Sequence, residues 1–198
     1  PTYIVGVISS CETAVMAEFI RELVTSVGLN EKGWSGEHAP IIQNALSLSC
    51  QVGGELKDQV LTVLWNLCVH PTRTVRLIVV NLFSVLMDVL DSNAISTRVL
   101  KSLITMSTDP ERSVRISALQ GLGRLALYLS ANADFDRLGL QFDNFFVSPD
   151  AEIRYEALKI YSQIIPKVET YFRDQYILKR LVKVGTENNL KSDQDDRK

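Results

Sequence analysis

Three stretches decide the reading: CVHPTRTVRLIVVNLFSVLM at residues 68–87, STDPERSVRISALQGLGRLA at 107–126 and FVSPDAEIRYEALKIYSQII at 146–165. They align without gaps. Pro71, Pro110 and Pro149 stand 39 residues apart, and the same step links Arg76 to Arg115 to Arg154. Val75, Val114 and Ile153 share one column; Leu86, Leu125 and Ile164 share another. A fixed step across proline, charged and apolar columns together marks an internal repeat, and a repeat of this length points to stacked supersecondary units.

Inside each stretch the apolar side chains recur at helical spacing: Val114, Ala118, Gly121, Leu122 and Leu125 fall on one face of a 3.6-residue helix. This is the second helix of a pair. Proline is expected in its first turn, where the missing N–H has no intrahelical partner, with Asp109 or Ser148 capping the exposed amides. First helices follow from the upstream stripes Leu61, Leu64, Leu67, then Leu100, Leu103, Met106, then Phe142 and Phe145. The step extends to Leu178, Leu181 and Val184 as a fourth first helix without a partner. Before residue 55 the register loosens. A helix is predicted over 13–28 with Val15, Phe19, Leu23 and Val27 inward, a loop from Leu29 to His38 with Gly33, Trp34 and Gly36, and a helix over 40–52. Residues 2–10 complete a degenerate hairpin.

The predicted fold class is all-α: an α-solenoid of antiparallel helix pairs, a HEAT/armadillo-like superhelix, as a right-handed stack of about ten helices. Residues 1–186 form the array, with degenerate repeats over 1–54 and regular 39-residue repeats from about 55 to 186. Residues 187–198, polar and charged, read as a frayed or disordered tail.

Composition agrees and excludes other classes. A chain of 198 residues, 46% apolar, can bury a sizeable core, and only 10 glycines and 6 prolines leave long stretches uninterrupted for helix. The net charge of −2 argues against a nucleic-acid binder, which needs a basic face. No apolar run approaches the roughly 20 residues of a membrane span. No basic flank precedes an apolar stretch at the start, so the sequence reads as cut from a longer protein. Cys11, Cys50 and Cys68 form an odd set without a CxxC pair, as expected of small apolar fillers in a reducing, cytoplasmic compartment.

Asp-Pro opening the second helix with Val-Arg a few residues on, closest at Asp109, Pro110, Val114 and Arg115, resembles the HEAT repeat. In that family the aspartate and arginine columns pair as a ladder. Here the arginine column Arg76, Arg115, Arg154 is full, whereas the aspartate column reads His70, Asp109, Ser148, so one complete pair is available. The runs VLKSLITMSTDPERSVRISALQGLGRLA from Val99 and VETYFRDQYILKRL from Val168 resemble the C-terminal HEAT region of the LisH-domain and HEAT-repeat proteins, the RELCH family, best from about Glu55 to Asn189. The resemblance implies a large peripheral protein on recycling endosomes, with a Rab-type small GTPase and a sterol-transfer protein near the trans-Golgi as partners.

No catalytic constellation emerges. GxSxG, Walker and HExxH patterns are absent, and Gly121-Leu122-Gly123 lies in a helical stripe with no strand before it. His38 and His70 have no metal-ligand spacing with the cysteines. No metal, cofactor or catalytic residue is assigned. Trp65 is read as core, and Trp34 as either an interaction residue or a lid over the adjacent hairpin. The second-helix stripe opposite the core carries Arg73, Leu77, Asn81, then Arg112, Ile116, Gln120, Arg124, then Ala151, Tyr155, Lys159, Gln163. Stacking would align it into one strip, either a docking surface or an ordinary solvated face. The candidate contacts are Arg73, Asn81, Arg112, Gln120, Arg124, Tyr155, Lys159, Gln163 and Trp34. A non-catalytic scaffold is the favoured class; a helical membrane-surface module or an all-α enzyme is the alternative, needing a basic amphipathic helix or a closed pocket of converging acids and bases.

Overall fold

The computed structural model describes residues 6, 12–29, 38–52, 54–183 and 185–186. Most of the predicted 2–10 hairpin arm, the Trp34 loop, Val184 and the tail from Glu187 lie outside them. The described residues form helices without strands: α1 (Thr13–Leu29), α2 (His38–Val52), α3 (Gly54–Leu67), α4 (Arg73–Leu86), α5 (Ser92–Met106), α6 (Arg112–Leu125), α7 (Asn132–Phe146), α8 (Ala151–Ile164) and α9 (from Thr170, through 183). By their contacts the helices gather into two compact units, 1–128 and 129–198.

In the first unit α4 and α6, both second helices, pack against each other, α6 covers α5, and α1 and α2 lie on α3 and α4. The predicted stripe of α6 is buried, as are its counterparts on α4. In the second unit α7 packs against both α8 and α9.

The junctions repeat down to single hydrogen bonds. The prolines sit one residue before the helix cap, outside the first turn: Thr72, Glu111 and Asp150 are the N-caps in extended conformation. Extended backbone is what a residue flanking this turn adopts when a polar side chain already satisfies its amide. His70 Nδ1 accepts the Thr72 N–H at 3.1 Å, Asp109 Oδ1 the Glu111 N–H at 2.8 Å, and Ser148 Oγ the Asp150 N–H at 3.2 Å. Three chemically different residues thus make one turn. The arginine column closes it, since Nη1 donates to the carbonyl of His70 (2.8 Å), Asp109 (2.8 Å) and Ser148 (2.7 Å) in the respective units. Among the described residues, Pro40 in α2 is the one proline in a first helical turn.

Alternate first helices differ. Against the fixed step, α5 and α9 start one residue early, at Ser92 and Thr170, relative to α3 at Gly54 and α7 at Asn132. Both contain a π-helical turn, Ile95–Val99 and Arg173–Leu178. A π turn takes up an extra residue without breaking the helix. Asp91 and Glu169 mark the early starts, each accepting an N–H of the first turn.

Two inward faces differ from expectation. On α1 the buried residues are Met16, Ile20, Val24 and Gly28, one position on from the predicted stripe, and Val15 is 55% exposed. Gly28 sets this rotation: a Cβ there would stand 2.5 Å from Val75 Cγ2, so α1 crosses α4 at contact distance. On α9 Ile177 is buried but Leu178 is 41% exposed, because no described second helix covers α9 as α6 covers Leu100.

The second unit has a mainly aromatic core. Phe142 lies 4.8 Å from Tyr161 and 6.4 Å from both Phe145 and Phe172, centroid to centroid. A unit with few helices gains most per residue from such large side chains. Gly139 is needed beneath it, since a Cβ there would meet the Tyr176 ring at 2.2 Å. Gly139→Ala should lower stability by about 1–3 kcal/mol through overpacking. In a Tyr176→Ala background the same change should cost less, which a double-mutant cycle of melting curves checks.

Candidate functional site

The predicted row separates into three kinds of residue. Arg73 and Asn81 on α4, and Arg112 and Gln120 on α6, are exposed, with Leu77 and Ile116 half-buried between them. Arg124 is already engaged. Its Nη2 lies 2.7 Å from both carboxylate oxygens of Asp88, and the Tyr128 hydroxyl donates to the same group. The Tyr128 hydrogen bond and then the Arg124 guanidinium hold the Asp88 carboxyl below its usual range. Arg124 therefore ties the end of α4 to α6 and is no free contact. Asp88 lies outside the aligned blocks, so the repeat pointed away from it; the signal was Arg124 and Tyr128 at i, i+4, straddling one repeat step.

On α8 the whole row, Ala151, Tyr155, Lys159 and Gln163, is exposed, with Lys159 Nζ 3.2 Å from Glu156. Tyr155 is 66% and Leu158 42% exposed. The column of Leu158 is fully buried in the earlier units, as Val80 and Leu119. At Leu158, α8 thus presents outward an apolar column that is buried on α4 and α6. Glu152, Arg154 and Lys159 on the same helix are exposed as well.

The ladder residues serve structure. Arg76 and Asp109 are each 8% exposed and paired twofold, Nε to Oδ2 at 2.7 Å and Nη2 to Oδ1 at 3.0 Å. Arg115 and Arg154, further from the core, clamp their own turns. Burial pushes the Cys50 and Cys68 thiols up to about 12, which leaves them protonated packing groups. Trp65, read as core, is half-exposed, with Lys101 Nζ 5.3 Å from its ring centroid. Among the described residues no three His, Cys, Asp or Glu side chains gather for a metal, and no helix is long and apolar enough to cross a membrane.

The family model for the C-terminal domain of the RAB11-binding protein RELCH matches residues 1–198. The chain belongs to this family. Proteins named RAB11-binding protein RELCH, or its homolog, from Danio rerio, Mus musculus and Homo sapiens are 27%, 26% and 25% identical to it over 96% of its length. The chain spans 16% of the length of these RELCH relatives. Among solved structures, an engineered protein aligns over 82% of the chain and 78% of its own length, at TM-score 0.44 and 13% identity. RELCH likeness was expected mainly from Glu55 to Asn189; the match also takes in residues 1–54.

Proposed function

We propose that this chain is a non-catalytic helical adaptor that binds a Rab-type small GTPase, with α8 as the docking helix. The exposed Tyr155–Leu158 pair supports the reading: the Leu158 column is buried in earlier repeats and the Tyr155 column half-buried, and on α8 both are exposed. The relatives' name, RAB11-binding protein, supports the class of partner. Tyr155, Lys159 and Gln163 are the contacts on α8; Arg73, Asn81, Arg112 and Gln120 offer a further polar surface on the first unit. In the fuller reading the protein works as a peripheral, cytoplasmic tether between recycling endosomes and the trans-Golgi, with a sterol-transfer protein as second partner.

The test is calorimetry of the purified chain with RAB11 loaded with a non-hydrolysable GTP analogue or with GDP. Binding is expected in the triphosphate state, and Tyr155→Ser should weaken it by about tenfold or more, the scale of an interface hot spot. Melting and helical ellipticity should stay unchanged, because Tyr155 is exposed. Absence of binding, or binding indifferent to Tyr155→Ser, overturns the assignment. Adding a sterol-transfer protein to the same titration examines the second partner.

A further inference from the structure

A cavity of about 220 Å³ opens between α3 and the π turn of α5, lined by Leu61, Trp65, Thr97, Arg98, Lys101 and Ser102. Its walls are one aliphatic and one indole face, two small hydroxyl residues and two cations. Lys101 lies over the indole. The Ser102 hydroxyl is spent on the Arg98 carbonyl at 2.8 Å, so the open polar groups are the two cations. No acid lines the space. The flanking carboxylate at the start of α5, Asp91, is held by Lys57 at 2.5 Å and by the Ala94 N–H at 2.8 Å. Asp58, on α3, is exposed, and among the described residues neither Arg98 nor Lys101 has an ion-pair partner.

The second unit shows what belongs in such a place. Seventy-eight residues on, two repeat steps, the same positions are Gly139, Asp143, Gln175, Tyr176, Lys179 and Arg180. There the recess is filled from within. The Tyr176 ring lies on Gly139, Asp143 sits 3.3 Å from Arg180, and Lys179 donates to Gln175 at 2.6 Å. Each cation has a partner, and a carboxylate occupies the position that Trp65 takes in the first unit. The first unit keeps the lysine, places its second cation at Arg98 where the second unit has Tyr176, and omits the acid.

We propose that this pocket receives the carboxylate of an aspartate or glutamate side chain from a protein partner, held between Arg98 and Lys101 against Trp65. Charge-assisted hydrogen bonds to two cations in a recess are the strong kind, and the apolar walls suit the methylenes behind the carboxylate. The volume falls below the roughly 300–1,000 Å³ of small-molecule sites, as fits one side chain. Recruitment by a lipid surface would call for a cluster of roughly 4–8 basic residues, and two line this pocket. π turns concentrate at functional sites, and this one carries Thr97 and Arg98 to the rim. The pocket lies on first helices and goes beyond the GTPase reading on α8.

The test uses the full 198-residue chain with Trp34→Phe, which leaves Trp65 as the single emitting indole. The probe is a capped five-residue peptide with one central glutamate between leucines, titrated at low salt beside its glutamine twin. A saturable change in Trp65 emission is expected with glutamate, with the glutamine twin about tenfold weaker, the scale of a charged hydrogen bond. Arg98→Gln with Lys101→Gln should weaken the glutamate peptide by about the same factor, with ellipticity unchanged. Backbone amide shifts over 61–65 and 97–102 provide a second readout independent of emission. Equal binding of the twins, retention in the double variant, or saturation by inorganic phosphate or anionic vesicles in place of the peptide overturns the proposal.

Discussion

Asp109→Ala is expected to lower the unfolding free energy by about 3–5 kcal/mol, the cost of leaving the other half of a buried ion pair unpaired. Three losses coincide at one side chain. The Arg76 guanidinium, 8% exposed, would keep only the carbonyls of His70 and Pro71 as acceptors for Nη1. Its Nε and Nη2 would lose their acceptors. The Glu111 N–H at the mouth of α6 would lose its acceptor as well. Arg154→Ala is the control, since an exposed guanidinium holding one turn carbonyl should cost below about 1 kcal/mol. Replacing both partners, Arg76→Met with Asp109→Leu, should recover most of the loss, because removing two buried charges together also removes their desolvation cost. Urea denaturation followed by ellipticity separates these outcomes. Equal midpoints for Asp109→Ala and Arg154→Ala would contradict the burial argument.

Proline, arginine and apolar columns were legible in the sequence because they obey one step, and each encodes a contact that recurs at every junction. The turn survives replacement of aspartate by His70 or Ser148, since any of the three can accept the amide two residues on. What the step could not show was where it fails. The early starts of α5 and α9 shift the first part of each first helix by a residue, and the π turn absorbs the shift before the apolar stripe, so the stripe looks regular. On α1 hydrophobicity alone favoured Val15, Phe19, Leu23 and Val27. The face was decided by Gly28, whose value is the absence of a side chain, and counting apolar residues is blind to it. The exposed row was legible on α8, where all four side chains lie outward and Lys159 pairs with Glu156. The tie of Arg124 to Asp88 was hidden, because Asp88 lies outside the aligned blocks. Trp65 looked like core for the same reason that its pocket was invisible: the aligned residues Ile104 and Asp143 say nothing of a cavity that depends on Arg98 and Lys101 across the helix pair.

Phe142→Ala should cost the second unit about 3–5 kcal/mol, the range for truncating a buried aromatic. Phe142 is fully buried, and its ring meets one aromatic from its own helix (Phe145), one from α8 (Tyr161) and one from α9 (Phe172). Collapse around the cavity is hindered, because these rings are also held by others: Phe172 stacks on Phe135 at 5.2 Å, and Tyr161 lies 4.7 Å from Phe146. The neighbours cannot slide inward without giving up those contacts, and the penalty should fall in the upper part of the range. Phe142→Leu keeps most of the volume and should cost less than half as much. Leu140→Ala, on the same helix but 61% exposed, should shift stability by no more than about 0.5 kcal/mol in either direction. Amide hydrogen exchange over 132–164 localises the effect: protection should fall across α7 and α8 together in Phe142→Ala, as their shared core loosens. A loss confined to the residues flanking position 142 would mean that Phe142 fills local space and does not join the helices of its unit.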